Sequence, residues 1–122
     1  MIDINILSGI FFIGFIVSSA GCVSENKFGK DIALTEPTSI GSILKYPSKF
    51  KDKNVLVKGQ ISVECPTGCW FYLKDSSGEI YIDLNASNFA IPQLENKEVA
   101  VEGTIITKQG HTFLLGKGVN VL

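Results

Sequence analysis

The stretch from Asn54 to Glu64 alternates apolar and polar side chains, and it constrains the fold more than any other feature of the chain. A period of two is typical of a β-strand with one face against a core and the other in solvent. The predicted core face consists of Val55, Val57, Gly59, Ile61 and Val63. Four further runs of strand character follow at Trp70–Asp75, Ile80–Leu84, Val99–Ile105 and Phe113–Leu122. Turn-forming residues separate the runs, so the sequence predicts a mainly β domain with five strands.

The spacing of these strands narrows the fold class. The long connection, Asn85–Asn96, lies between the third and fourth predicted strands. A short helix, Ile40–Lys45, is predicted before the first strand, capped by Thr38 or Ser39 and ended by the following proline. Five strands with a long connection in this place are typical of the OB-fold, a partly open Greek-key barrel. We therefore predict an OB-fold domain over residues 38–122, with an SH3-like barrel as the alternative.

The N-terminus carries an apolar run that is unlike the rest of the chain. Residues 6–17 hold no charged side chain, and small residues follow them up to Cys22. This pattern is typical of a secretory signal, and the Ala-Gly-Cys sequence is similar to the end of a prokaryotic lipobox, whose cysteine is lipidated. Asp3 departs from that pattern, which leaves a retained anchor or simple secretion as alternatives. We expect residues 1–21 to be a signal peptide or membrane anchor, and the domain to face the extracytoplasmic side of the cell membrane.

The segment that follows, residues 22–37, shows no hydrophobic period and is rich in polar and turn-forming residues. We predict a flexible tether here.

The whole chain has 11 lysines, no arginine and 12 acidic residues. This balance argues against a constitutive nucleic-acid-binding protein, which usually carries a large basic excess.

Two cysteines, Cys65 and Cys69, flank a Pro-Thr-Gly turn between the first two predicted strands. They are interpreted as a disulfide that closes the loop, as metal ligands or as a redox pair. The lone histidine, His111, lies in the loop between the fourth and fifth strands, and both loops flank the ligand-binding face of an OB-fold. It is either an ordinary polar loop residue or the third member of a Cys₂His set. Sulfur and imidazole ligands would suit zinc or copper.

An aromatic row is predicted on the second and third strands. If the valines of the first strand face the core, the outer side carries Trp70, Tyr72 and Lys74, with Tyr81 beside them. The opposite phase, with the alternate residues of the second strand outside, stays open. OB domains stack single-stranded bases on such rows, and the same surface suits sugars or a peptide. The predicted ligand-binding face consists of Lys58, Trp70, Tyr72, Lys74 and Tyr81.

Several motifs together resemble a known family. They are Ile43-Leu44, Pro47, Phe50, Lys53, Glu64-Cys65, Gly68-Cys69-Trp70, Phe89-x-x-Pro92 and Val99-x-Val101-x-Gly103. The chain resembles the exported OB domains of the tRNA-anticodon-like superfamily, and within it an uncharacterised family whose signature is a cysteine loop ending in Gly-Cys-Trp. The resemblance covers residues 39–107. It implies an exported OB-fold and no activity, because none is established for that family.

The chain shows no glycine-rich phosphate loop and no Ser-His-Asp set. We therefore expect a binding module and not an enzyme, namely a membrane-tethered accessory protein of the cell envelope that binds a metal or a small ligand. One alternative is a structural or interaction module that docks on an envelope protein and uses the disulfide to staple its loop. The other is binding of single-stranded nucleic acid or an oligosaccharide through the aromatic face.

Overall fold

The computed structural model describes residues 26–122. The predicted signal or anchor at 1–21 and the predicted lipidation site Cys22 lie outside the described residues. The elements are β1 (Lys27–Gly29), α1 (Ile40–Lys45), α2 (Pro47–Phe50), β2 (Asn54–Glu64), β3 (Trp70–Asp75), β4 (Gly78–Asp83), a 3₁₀ turn (Asn85–Ser87), β5 (Glu98–Lys108) and β6 (His111–Val121). No helix within this described part is long and apolar enough to cross a membrane.

Five of the strands close into a barrel. β2 pairs with β3, β3 with β4, β4 with β6, β6 with β5, and β5 returns to β2. All these pairings are antiparallel except that of β4 with β6, which is parallel. Closure leaves each of the five strands paired on both sides, and this strand order is that of the OB-fold. The predicted mainly β class, the five-stranded barrel and the short helix before it are therefore confirmed.

The interior of the barrel is filled by alternate residues of all five strands and closed at one end by α1. Ser39 caps α1, since its side chain accepts a hydrogen bond from the Ser42 N–H. Ile40 and Ile43 of α1 are fully buried in the same cluster as the strand residues. Phe71 of β3 is one of the buried strand residues. Because successive residues of a strand point to opposite faces, its neighbour Trp70 lies on the outward face of β3. The phase that the sequence left open is thereby settled.

One prediction about the core face fails at the end of β2. Val63 was predicted to point inward, yet 51% of its surface is exposed. The register of β2 against β3 shifts between Ile61 and Val63, because a β-bulge adds one residue to β2. An added residue reverses the phase of every side chain after it, so Val63 points outward.

The predicted tether is, in its described part, packed against the barrel. β1 pairs with β6 outside the barrel, with Phe28 opposite Val119. The carboxylate of Glu102 accepts hydrogen bonds from the backbone N–H groups of Ala33 and Leu34, at 2.8 and 2.9 Å. Burial acts to raise the pKa of Glu102, but these bonds and others outweigh it and lower the pKa. In its described part, residues 26–37, the segment therefore makes specific backbone contacts with the barrel.

A second carboxylate joins α1 to the turn between β3 and β4. Asp75 accepts hydrogen bonds from the backbone N–H groups of Ile40, Ser77 and Gly78, at 2.9, 2.7 and 3.0 Å. Burial alone would raise its pKa, but the hydrogen bonds prevail and lower it. Asp75 thus holds the helix over one end of the barrel in its ionised form.

Candidate functional site

Four aromatic rings lie in contact on the outside of β3, β4 and β6. The ring centroids of Trp70 and Tyr81 are 5.8 Å apart, and those of Tyr72 and Tyr81 are 5.3 Å apart. Trp70 and Tyr72 meet edge to face at 6.1 Å, and Tyr81 meets Phe113 edge to face at 6.2 Å. We call the surface formed by Trp70, Tyr72, Tyr81 and Phe113 the aromatic face. Its rings are within the range in which aromatic pairs attract one another.

Strand register explains why these rings meet. Tyr72 of β3 lies directly opposite Tyr81 of β4. β4 pairs in parallel with β6, where Leu114 is buried and the preceding residue, Phe113, therefore points outward. Phe113 was not among the predicted site residues. The alternation of the fifth predicted strand around Leu114 is the signal that could have placed it there.

A cavity of about 400 Å³ opens beside the aromatic face. It is lined by Tyr72, Glu79, Ile80, Tyr81, His111, Thr112 and Phe113. Tyr72 is 39% exposed, and the outward-pointing Val63 is its Cα partner across the β2–β3 ladder. The surface around the cavity thus combines exposed apolar side chains with a carboxylate and an imidazole, as many ligand-binding surfaces do.

Charged groups of both signs border the rings. Lys74 and Glu79 are opposite each other across the β3–β4 ladder, and Asp83 is opposite Trp70. The carboxylate of Glu79 accepts a hydrogen bond from the Ser62 hydroxyl. Burial, followed by the negative charge of Asp83, raises the pKa of the Tyr81 phenol, which therefore stays neutral and can donate a hydrogen bond. The rim carries no excess of positive charge.

Lys58 does not lie with the other predicted members of this face. Its Cα partner is Ala100 of β5, whereas β3 pairs with β2 only from Gln60 onward. Its side chain is exposed, but on the part of β2 that borders β5. Lys74, by contrast, extends from β3 on the same side as Trp70 and Tyr72. Of the two predicted lysines, Lys74 is therefore the one that lies beside the rings.

His111 and the two cysteines are not brought together. β2 and β5 run antiparallel, so the loop after β2, with Cys65 and Cys69, and the loop after β5 leave the barrel at opposite ends. The cysteine loop adjoins Trp70 and His111 lies near Phe113, so the two loops border different ends of the aromatic face. Within residues 26–122 no group of three or more His, Cys, Asp or Glu side chains is placed to hold a metal ion. The expected Cys₂His set is not assembled here.

The spacing along β4 gives the size of this separation. Parallel pairing with β6 places His111 level with Glu79 at the start of β4. The N–H of Leu84, just after β4, donates to the carbonyl of Cys69 at 3.0 Å. Five residues of extended chain separate Glu79 from Leu84, or about 16 Å at roughly 3.3 Å per residue. His111 instead lines the cavity of the aromatic face.

The cysteine loop forms a second cluster, at the other end of the aromatic face. Cys65 and Cys69 are free thiols whose sulfur atoms are 3.2 Å apart. The Thr67 hydroxyl lies 3.1 Å from the sulfur of Cys65 and 3.5 Å from that of Cys69. Hydrogen bonds from Thr67, and then from Cys69, lower the pKa of Cys65 to about 6. Trp70 follows Cys69 directly, so the loop adjoins the aromatic face.

Solved structures share the fold of this chain. The hypothetical protein YgiW from E. coli is similar over 72% of this chain and 91% of its own, with 20% identity and a TM-score of 0.54. Asparaginyl-tRNA synthetase from Pyrococcus horikoshii is similar over 73% of this chain and 23% of its own, with 13% identity and a TM-score of 0.57. A putative aspartyl-tRNA synthetase from Leishmania major Friedlin gives 75% and 22% coverage, 18% identity and a TM-score of 0.52.

Identities this low show a common OB-fold and nothing narrower. No family model matches the chain, and no curated protein matches it in sequence. The resemblance to the Gly-Cys-Trp family therefore stays a prediction from its motifs.

Proposed function

We propose that this protein is a binding module, not an enzyme, and that its aromatic face binds the rings of an uncharged oligosaccharide. The observation that carries the proposal is the cluster of Trp70, Tyr72, Tyr81 and Phe113 across three adjacent strands. Partly exposed rings on this side of an OB barrel offer several apolar surfaces against which successive rings of a ligand can pack.

The polar groups at the rim favour a ligand without phosphates. Glu79 and Asp83 border the rings on β4, and both accept hydrogen bonds when ionised. Sugar hydroxyls can donate to such carboxylates, whereas a phosphate would be repelled by them. The cavity of about 400 Å³ beside the rings is large enough for ligand groups to enter. His111 and Thr112 line it and add polar contacts.

Single-stranded nucleic acid is the second candidate. Aromatic rows on OB barrels stack bases, and two of the proteins that share the fold are tRNA synthetases by name. Lys74 beside the rings is the feature that favours this ligand. The two carboxylates on β4, and the lack of a basic excess in the chain, favour the oligosaccharide.

We further propose that the module acts outside the cytoplasm, attached to the membrane by residues 1–21 or by a lipid on Cys22. The apolar run of 6–17 and the cysteine after it support this location. Metabolic labelling with a fatty-acid analogue tests the lipid. We expect label on the full chain and none on Cys22→Ser, while label on neither, with the chain still in the membrane fraction, would favour the retained anchor.

Fluorescence titration tests the ligand class, because Trp70 is the single tryptophan of the chain. The full-length protein in mild detergent is titrated with neutral hexasaccharides of glucose or N-acetylglucosamine, and separately with oligodeoxythymidylate. We expect saturable changes in Trp70 emission with a sugar and none with the oligonucleotide. Binding of the oligonucleotide alone would support the second candidate, and no binding of either would contradict both.

A matched pair of tyrosine variants separates binding at the aromatic face from adhesion elsewhere. Tyr72→Ala removes a ring of the face, whereas Tyr46→Ala removes an exposed ring at the junction of α1 and α2. We expect Tyr72→Ala to weaken sugar binding about tenfold, equivalent to about 1.4 kcal/mol. Tyr46→Ala should leave it unchanged. Equal losses in the two variants would contradict the placement of the site.

A further inference from the structure

We propose that the loop formed by Cys65, Thr67 and Cys69 is a reversible thiol–disulfide exchange site that reacts with small-molecule or protein disulfides. The proposal is independent of the ligand assigned to the aromatic face. Its basis is the placement of two free thiols against each other, with a hydroxyl in contact with both.

The loop holds the two sulfurs in position by backbone contacts. The N–H of Cys65 donates to the carbonyl of Trp70 at 3.0 Å, and the N–H of Gly68 donates to the carbonyl of Cys65 at 2.8 Å. Gly68 has a φ of +76°, and a Cβ there would lie 1.9 Å from the carbonyl oxygen of Ile91. Only glycine fits this close approach, so the turn is fixed against the β4–β5 connection.

A disulfide can form from this arrangement with little movement. The sulfurs are 3.2 Å apart, and a disulfide bond is about 2.05 Å long. A loop this short gives the smallest gain in chain entropy, so stapling alone is a weak reason for the pair. The backbone hydrogen bonds already close the loop without a covalent bond. A dithiol poised for exchange accounts for the geometry better than a permanent staple does.

Ionisation of one thiol of the pair at neutral pH supplies the negative charge that a sulfur nucleophile needs. The pKa of Cys65 is lowered to about 6 by hydrogen bonds from Thr67 and Cys69, so the pair holds one negative charge at neutral pH. The remaining proton is on Cys69, whose thiol donates a hydrogen bond to the Cys65 thiolate across the 3.2 Å contact. Cys69 is the more exposed of the two thiols, whereas Cys65 is buried. An incoming disulfide therefore meets Cys69.

Oxidation of the pair by an incoming disulfide takes two steps. The Cys65 thiolate takes the proton of Cys69 as the sulfur of Cys69 attacks one sulfur of the incoming disulfide. A bond forms between Cys69 and that sulfur, the incoming S–S bond breaks, and the first thiolate leaves. Cys65 then gives its proton to this leaving thiolate, attacks the sulfur of Cys69 and expels the second thiolate, which takes a proton from water. The pair loses two electrons, and the incoming disulfide gains them.

Redox titration of the full-length chain tests the proposal. The Cys22→Ser variant is used as the background, because Cys22 is the one cysteine of the chain outside the pair and its thiol would otherwise also react. The protein is equilibrated at pH 7 with reduced and oxidised glutathione in defined ratios, quenched with acid, alkylated and weighed intact. We expect a reversible transition in which both thiols disappear together with the loss of two hydrogens. Two thiols that stay free in oxidised glutathione, or a disulfide that reduced glutathione does not open, would overturn the proposal.

Single-cysteine variants in the same background test the order of the steps. Cys65→Ser should accumulate a stable mixed disulfide between glutathione and Cys69, because the resolving thiol is gone. Cys69→Ser should form its adduct at Cys65 several times more slowly. An adduct in neither variant would contradict exchange through this pair.

Thr67→Val separates activation of the thiols from a purely structural role of the loop. The substitution removes the hydroxyl and keeps the shape of the side chain, and Thr104→Val on β5 is the matched control. We expect Thr67→Val to slow disulfide formation several-fold at pH 7 and much less at pH 9, where thiols ionise without help. Equal rates in both variants at pH 7 would show that the hydroxyl does not activate the pair.

Discussion

The two outer flanks of the barrel both carry apolar side chains, but residues 26–122 cover only one of them. On the β2–β5 flank, Leu56 and Ala100 point away from the core and are still only 3% and 4% exposed. The chain itself packs there, with Pro37 bridged to Leu56 and Ala33 bound to Glu102. The β3–β4–β6 flank keeps its aromatic rings partly exposed.

This difference shows where the fold has apolar surface that its own described residues leave accessible. An OB barrel needs one face of each strand for its core, and a contiguous patch of outward apolar side chains requires another reason. On the covered flank, packing of residues 30–38 supplies that reason. On the aromatic face, a bound ligand would supply it.

The largest expected change in stability comes from replacing one of two neighbouring aromatic residues of β3. Phe71 is fully buried and Tyr72 is 39% exposed, one residue apart on opposite faces. Phe71→Ala is expected to lower the free energy of unfolding by about 3–5 kcal/mol, because it empties the core. Tyr72→Ala is expected to cost less, about 1–2 kcal/mol, because the partly exposed ring loses only its contacts with Trp70 and Tyr81. Urea unfolding measures both, and comparable losses would contradict the assignment of the two faces.

A smaller effect is expected on the covered flank. Glu102→Ala removes the acceptor for the backbone N–H groups of Ala33 and Leu34, and should lower the free energy of unfolding by about 1–3 kcal/mol. Amide hydrogen exchange should then become faster at Ala33 and Leu34 and stay unchanged in β3 and β4. Unchanged exchange at both amides would show that Glu102 does not hold the segment.

Phe113 and Lys58 lie on different flanks of the barrel, so their variants test which flank binds the ligand. Phe113 contacts Tyr81, whereas Lys58 lies on the part of β2 that borders β5. Phe113→Ala should weaken binding of the neutral hexasaccharide about tenfold, or about 1.4 kcal/mol, and Lys58→Ala should have no effect. Trp70 fluorescence measures both affinities. A loss with Lys58→Ala alone would place the ligand on the other flank.

The smallest expected effect is a loss of stability against unfolding at acid pH. Asp75 and Glu102 both have a pKa below the ordinary value, so their hydrogen bonds add stability above the unfolded pKa of about 4. This contribution is lost as the pH falls through the lowered, folded-state pKa of each group. Urea unfolding between pH 7 and pH 3 should show the loss. Asp75→Asn should weaken the dependence, and an unaltered pH profile would rule out Asp75 as a contributor.

The fold was predictable because its strong signals are local. The alternation in β2, the cap at Ser39 and the place of the long connection each depend on neighbouring residues. β1 was missed, since three residues with the single apolar Phe28 show no period. Val63 was misplaced because a bulge depends on the partner strand and leaves no mark in the alternation itself.

The site was harder to predict because it depends on how strands are paired. The rings of β3 and β4 were predicted together from alternation, but Phe113 joins them only through the parallel pairing of β4 with β6. The expected convergence of His111 with Cys65 and Cys69 treated two loops near one face as neighbours. The antiparallel course of β2 and β5 sends those loops to opposite ends.

The central claim is that the aromatic face is the open binding surface of the barrel. Nuclear magnetic resonance of the ¹⁵N-labelled full-length chain, titrated with the neutral hexasaccharide that alters Trp70 emission, tests it most directly. We predict shifts of the Trp70 indole N–H and of the backbone amides around Tyr72, Tyr81 and Phe113, with none at Leu56 and Ala100. Shifts confined to the β2–β5 flank would contradict the account.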